Sequence, residues 1–194
     1  MPNRRNTIPI GVGLGVLLVV ATVVGLAVWR TMGDDAQAQP TLTDSPGVEL
    51  PTRSAEQVAT DSALAAYNGF REAYVAAATT SDAANADLPK YAIDPALAEA
   101  KLNLYTMNRE GLISTGRPTW NAQATSVNLT AKPNTVELKD CLDINNSHIV
   151  RRADNKPADA PGQARRFVVT AKATLTDDGR WVIREVTADR KTSC

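Results

Sequence analysis

The sequence predicts an α+β domain that follows a single membrane-spanning helix. Three observations support this. Residues 8–29 form a long apolar run without a charged residue. Apolar residues then recur at three- and four-residue spacing, which is typical of helices packed on one face. In the second half of the chain apolar and polar residues alternate, as they do in half-buried strands. Helices followed by a run of antiparallel strands are the α+β arrangement, and 194 residues leave room for one domain of ordinary size.

The apolar run predicts a transmembrane anchor at residues 8–29. As a helix it would be about 33 Å long, at about 1.5 Å per residue, which is enough to cross the hydrocarbon core of a membrane. Arg4 and Arg5 precede it, so the positive-inside rule places residues 1–7 in the cytoplasm and the rest of the chain outside. A cleaved signal peptide ending at Ala38, after the small-residue pattern Ala-Gln-Ala, is the alternative. The run is longer than the apolar region of most signal peptides, which favours a retained signal-anchor. Both interpretations export the C-terminal part.

Residues 30–53 are predicted to be a flexible linker, because proline, glycine and small polar residues alternate there without an apolar period. Residues 54–194 are the exported domain. Ser54 and Gln57 fit a capping box at the start of its first helix. The face of that helix directed to the core is expected to carry Val58, Leu64, Tyr67, Phe70, Tyr74 and Ala77.

A second helix is predicted from Asp94 as N-cap and Pro95 as first helical residue, and it ends at Gly111. Its apolar face would carry Leu97, Leu102 and either Leu104 or Tyr105. Beyond it the period changes to two, which predicts strands at 120–130, 135–144, 165–175 and 181–188. A hairpin turn at 176–179 joins the last two strands, and residues 151–164 are predicted to be a polar loop.

This pattern resembles a known superfamily. The aromatic residues on the first helix, a short helix and a meander ending in a D-G-x-W hairpin are similar to the cone of nuclear-transport-factor-2-like proteins. A closer resemblance is to exported actinobacterial proteins with a V-x-x-x-D-C-x-D strand followed by an R-W-x-V strand. The matching residues are Val136, Asp140, Cys141, Asp143, Arg180, Trp181 and, in place of the last valine, Ile183. The resemblance covers about residues 55–194. It implies helices packed on a curved antiparallel sheet, and membrane-anchored relatives that include mammalian-cell-entry-associated proteins and an assembly factor of type IV secretion systems.

The stretch KDCLDINNSHIV, residues 139–150, has three interpretations. A metal site from Asp140, Cys141, Asp143 and His148 is disfavoured. Successive strand residues point to opposite faces, so Asp140 lies opposite Cys141 and Asp143, and one ion would not reach all four side chains. A nucleophilic cysteine is disfavoured by its two acidic near neighbours, which oppose thiolate formation. A disulfide between Cys141 and Cys194 is favoured, because an exported domain with two cysteines has one intrachain pairing available.

An enzyme remains an alternative. Asp140 shares a strand face with Val136, Leu138 and Leu142, which directs its carboxylate inward. Small-molecule isomerases and cyclases of the superfamily use such an inward carboxylate as a general base, with a second donor stabilising the enolate. Tyr67 or Tyr91 would have to be that donor, and no spacing selects one of them, so we assign no catalytic residue.

Charge and composition limit the classes of partner and cofactor that the chain is expected to bind. Twenty-one basic and 21 acidic residues balance, which disfavours nucleic acid as a partner. Two cysteines and one histidine leave little material for a metal site, and we expect neither a metal nor a cofactor. One basic cluster is either a solvated loop or a contact surface for a partner protein or anionic headgroups: Arg151, Arg152, Lys156, Arg165 and Arg166. The sequence thus favours a non-catalytic interaction or assembly module of a bacterial envelope complex, held by residues 8–29, with a homo-oligomer as a further alternative.

Overall fold

The computed structural model describes residues 53–194. The predicted cytoplasmic segment, the anchor at residues 8–29, the signal-peptide alternative and nearly all of the linker fall outside that range. None of the helices between residues 53 and 194 combines the length and the apolar composition of a membrane span.

Three helices precede six strands, so the α+β prediction is confirmed. The helices are α1 (Ala55–Ala78), α2 (Leu88–Tyr91) and α3 (Ala96–Arg109). The strands are β1 (Leu112–Gly116), β2 (Gln123–Asn128), β3 (Thr135–Asp143), β4 (Ser147–Arg151), β5 (Arg166–Leu175) and β6 (Trp181–Asp189). The helices therefore come from the first half of the domain sequence and the strands from the second half.

Helix α1 starts as the sequence predicts, with a different buried face. The Ser54 hydroxyl accepts a hydrogen bond from the Gln57 amide at 3.1 Å, whereas the Gln57 side chain donates to Asp61 and does not complete the capping box. Tyr67, Phe70 and Ala77 are buried, and so is a stripe of alanines: Ala59, Ala63, Ala66, Ala73 and Ala78. Val58 is 50% exposed, so its expected place on the core face is wrong. Small residues on this face let the helix approach the sheet closely.

Helix α3 differs from its prediction at both its start and its face. It begins at Ala96 with Pro95 as N-cap, and no side chain caps it, so the expected capping by Asp94 is wrong. The buried residues are Ala96, Ala100, Leu104 and Met107. Leu102 and Tyr105 are 64% and 57% exposed, which corrects their placement on the core face. The helix thus presents two large apolar side chains to the outside.

The strands form two antiparallel sheets where one was expected. The larger has the order β2-β3-β5-β6, and its strands match the predicted ones to within three residues at each end. The smaller pairs β1 with β4, from Leu112 opposite Arg151 to Gly116 opposite Ser147. Neither β1 nor β4 was predicted, because their sequences, LISTG and SHIVR, place apolar residues side by side and do not alternate with polar ones. The residues that follow Asn146 thus form strand β4, and the predicted polar loop comes after this strand.

The main core lies between the alanine stripe of α1 and one face of the four-stranded sheet. That face is lined by Val136, Leu138, Ala171, Ala173 and Ile183, all at most 3% exposed. A smaller cluster of Leu142, Phe167 and Val169 extends the same layer toward the far end of β3 and β5. Asp140 occupies the β3 position between Leu138 and Leu142 and is 3% exposed, so its predicted inward direction is confirmed.

Candidate functional site

A buried hydrogen-bonded chain joins α1 to the sheet. The Tyr67 hydroxyl donates to Asp140 Oδ2 at 2.7 Å, and the backbone amide of Asn121 donates to Asp140 Oδ1 at 2.8 Å. Arg71, one helical turn after Tyr67, donates to the same hydroxyl from Nε at 2.9 Å and from Nη2 at 2.7 Å. Its guanidinium carbon also lies 4.9 Å from the centre of the Tyr67 ring. Each polar group that enters the core thereby finds a partner.

These hydrogen bonds occupy the Tyr67 hydroxyl, which an acid–base mechanism would need as its second donor. A phenol has one donor and two acceptor positions, and Tyr67 directs its donor to Asp140 and accepts twice from Arg71. Burial raises the pKa of Tyr67 well above its ordinary value, and the neighbouring Arg71 opposes that shift only in part. The phenol therefore keeps its proton and has no free hydrogen for an enolate. Both oxygens of Asp140 are also engaged, which makes the pair a structural link between helix and sheet.

Tyr91, the other proposed donor, lies elsewhere. It belongs to α2, and its ring covers Gly69 of α1 so closely that a β-carbon built at Gly69 would overlap Tyr91 Cε1. The structure therefore joins Asp140 to Tyr67 and uses Tyr91 to pack α2 against α1.

The disulfide links the middle of the sheet to the C-terminus. Cys141 on β3 and Cys194 are bonded, with their Cα atoms 5.8 Å apart, as the sequence predicts. The Val168 amide donates to the Thr192 carbonyl at 3.1 Å, so the tail runs beside β5 before it reaches the bond. Arg166 Nη2 lies 3.4 Å from the Cys141 sulfur. Within residues 53–194 no three His, Cys, Asp or Glu side chains are grouped closely enough to hold a metal ion.

Four of the five residues of the predicted basic cluster have partners within the domain. Arg165 donates to the carbonyls of Ile144 and Ser147 and lies 3.5 Å from Asp159. Arg166 lies 3.6 Å from Asp143, and Lys156 lies 3.0 Å from Asp154. Arg152 donates to the Thr80 carbonyl at 2.9 Å. The contacts of Arg152, Arg165 and Arg166 hold the 151–166 segment against the rest of the domain, whereas the Arg151 side chain makes no hydrogen bond or ion pair within residues 53–194.

Asp159, which lies within the 151–166 segment, attaches this segment to strand β4. It accepts from the Ile149 amide at 2.9 Å and lies 2.9 Å from His148 Nδ1. Burial of its carboxyl raises the pKa, but the Ile149 amide, His148 and Arg165 outweigh that effect and lower the pKa of Asp159 overall. The carboxylate is therefore charged and closes the loop onto β4.

A groove of about 570 Å³ opens between α1, α3 and the sheets. Its lining is mainly apolar and includes Phe70, Tyr74, Ala100, Met107, Phe167 and Val186. Volumes of about 300–1,000 Å³ with this kind of lining are typical of small-molecule sites. Asp140 does not line this groove; it borders a separate depression beside the disulfide.

Two arginines stand on the wall of the groove. Arg71 comes from α1 and Arg190 from the turn after β6, and the guanidinium carbon of Arg190 lies 4.5 Å from the centre of the Phe167 ring. Burial raises the pKa of the Tyr74 phenol, and the charges of Arg71 and Arg190 oppose that shift, so both cations act on the same part of the groove. Neither arginine forms an ion pair with a carboxylate of residues 53–194.

The sequence did not single out Arg71, Asn121 or Arg190. The four-residue step from Tyr67 to Arg71 was a usable signal, since such residues share a helix face. The Asn121 amide and Arg190 approach their partners through tertiary structure alone, so no local pattern marks them.

Comparisons with known proteins add little to this picture. No family model matches the chain, and no curated protein matches it. Among solved structures, the intermembrane space region of the chloroplast protein ARC6 is similar, with a TM-score of 0.42 and 16% sequence identity. That match covers 71% of this chain and 98% of the ARC6 region. A similarity this distant carries no argument about function, which must come from the residues of the chain itself.

Proposed function

We propose that this chain is a membrane-anchored module of a bacterial cell-envelope complex, with residues 8–29 as anchor and residues 54–194 as an extracytoplasmic domain of the nuclear-transport-factor-2-like class. Its role is to contact another envelope or membrane protein and not to catalyse a reaction. The disulfide between Cys141 and Cys194 supports the location, because such bonds persist in oxidising compartments.

The observation that carries the interaction role is the outer face of α3. Leu102 and Tyr105 lie three residues apart on this helix and are 64% and 57% exposed. Residues at this spacing are neighbours on the helix surface, and Ala98, four residues before Leu102, is also exposed. Leucine and tyrosine in adjacent exposed positions can be buried by a partner, and tyrosine is enriched among the residues that dominate binding energies.

The enzyme alternative receives less support. Asp140 is almost inaccessible and both of its oxygens are engaged, while the Tyr67 hydroxyl has already given its hydrogen to it. A general base must reach its substrate through a hydrogen bond or one water. Because Asp140 is 3% exposed, a substrate would have to displace the protein groups packed around the carboxylate before it could reach it.

Crosslinking in intact cells tests the proposal. A photoreactive amino acid at Leu102 should give a specific adduct with another membrane or envelope protein, identified by mass spectrometry, and Tyr105→Asp should remove that adduct. The same amino acid at Asp177, exposed in the hairpin turn between β5 and β6, serves as the matched control and should give none. Recovery of monomer alone at Leu102, or equal adducts at both positions, would contradict the proposal.

A further inference from the structure

We propose that the groove between α1, α3 and the sheets is a binding site for a small amphiphile that carries one anionic group on an aliphatic chain. The inference does not depend on the proposed interaction role, because it concerns a different surface of the domain. It rests on the lining of the groove and on the two arginines without carboxylate partners.

The floor of the groove suits an aliphatic chain. Phe70, Met107, Phe167 and Val186 come from four different elements and converge on one space of about 570 Å³. The helices contribute small residues here, among them Ala100, which keep the space open. An apolar chain that enters removes its own surface and that of the lining from water, and each methylene adds to this gain.

The two arginines that line the groove favour a ligand with a negatively charged headgroup. Arg71 uses two of its N–H groups on the Tyr67 hydroxyl, and a guanidinium has five, so others remain free. Arg190 is held over the Phe167 ring and makes no hydrogen bond to a side chain or carbonyl of the described chain. Guanidinium groups bind carboxylate and phosphate through paired N–H donors. An anionic headgroup between Arg71 and Arg190 would therefore satisfy both.

Two acidic side chains, Asp159 and Glu99, also line the groove, and their positions limit where an anionic headgroup can lie. Asp159 is already paired with Arg165 and His148. Glu99 is exposed on α3 and forms no ion pair within residues 53–194. The headgroup should thus lie on the side of α1 and β6, with the aliphatic chain extending toward α3.

Photolabelling of the full chain in nanodiscs tests the site. The probe is a dodecanoate analogue with a diazirine in its chain, and crosslinked peptides are mapped by mass spectrometry. We expect labelling on α3 and on the groove face of β5 and β6, competed by dodecanoate and much less by dodecanol. Dodecyl phosphate distinguishes a phosphate headgroup from a carboxylate, and competition by either anion supports the site. Octanoate should compete on the order of a hundredfold more weakly than dodecanoate, since it buries four fewer methylenes.

Matched variants separate the site from general hydrophobic labelling. Arg190→Gln should reduce the apparent affinity by about tenfold or more, whereas Arg184→Gln, an exposed arginine outside the groove, should not change it. Ala188→Trp should block the groove, and Thr187→Trp, on the opposite face of β6, should leave labelling intact. Both positions on β6 are exposed, so the folded domain tolerates these changes.

Three results would overturn the proposal. Labelling spread over the surface without competition would mean that the groove is not a site. Equal competition by dodecanol and dodecanoate, with Arg190→Gln unchanged, would remove the role of the arginines. Tighter binding of a dodecyl ammonium than of dodecanoate would show that the wall selects a cation.

Discussion

Replacing Tyr67 with phenylalanine removes the one oxygen that links Arg71 of α1 to Asp140 of β3. The hydroxyl donates to Asp140 on β3 and accepts from Arg71, so its loss leaves the carboxylate with the Asn121 amide alone. The ring remains and fills the same space, since Tyr67 is fully buried and phenylalanine lacks only the hydroxyl. The variant therefore tests the hydrogen bonds separately from the packing.

The expected loss of stability follows from the Asp140 carboxylate, which loses a hydrogen-bond donor and stays buried. A hydrogen bond to a charged group contributes about 1.5–3 kcal/mol, and a buried charged acceptor that loses a donor adds a desolvation cost. We expect Tyr67→Phe to lower the free energy of unfolding by about 2–3 kcal/mol. The matched control is Tyr105→Phe on α3, where the side chain is 57% exposed. Its effect should stay within about 0.5 kcal/mol.

The same variant should change the response to alkaline pH. Burial raises the pKa of Tyr67 above its ordinary value of 10.0, so the folded chain holds this proton more tightly than the unfolded chain. The stability that comes from this difference is complete below about pH 10 and declines as the pH rises further. Tyr67→Phe should weaken that decline, while burial of Tyr74, which also raises its pKa, keeps part of it.

Chemical denaturation followed by the fluorescence of Trp120 and Trp181 measures both effects, at neutral pH and between pH 9 and 11. A loss below about 0.5 kcal/mol, together with an unchanged alkaline decline, would refute the bridging role of the Tyr67 hydroxyl.

Three further changes test the packing. Cys194→Ser opens a bond between residues 53 apart, which should cost about 2–4 kcal/mol and release the tail to proteolysis; equal stability in the reduced and oxidised protein would contradict this. Gly69→Ala should destabilise α1 because its β-carbon meets the Tyr91 ring, and the usual helix-stabilising gain of alanine in thermal melts would show that the contact is absent. Leu104→Ala should cost about 2–5 kcal/mol in denaturant unfolding, whereas Leu102→Ala should be nearly neutral; a reversed order would mean that α3 presents the other face.

Sequence periodicity predicted the elements that are long enough to show one. Helix α1 and strands β3, β5 and β6 each repeat their pattern over nine or more residues, and all four appear where expected. The five-residue strands β1 and β4 were missed, because each is stable only through pairing with the other across 31 or more positions of sequence. Short edge pairs of this kind leave no local period to detect.

The faces of the helices were harder to predict than the helices themselves. Large apolar residues were assigned to the core, whereas α1 buries alanines and α3 exposes Leu102 and Tyr105. Close approach of a helix to a sheet favours small side chains at the contact, and this requirement comes from the partner surface. The inward direction of Asp140 followed from strand alternation, but its partners Tyr67 and Asn121 depend on how α1 and the 117–122 segment cross the sheet.

Export of the domain underlies the proposed function, and the state of its two cysteines in the cell tests export directly. Cells are quenched in acid, free thiols are alkylated, and the peptides containing Cys141 and Cys194 are quantified before and after reduction. An exported domain should yield the joined peptide pair and almost no alkylated thiol until a reductant is added. Two alkylated cysteines in chains taken from intact cells would place the domain in a reducing compartment and contradict its proposed role in the envelope.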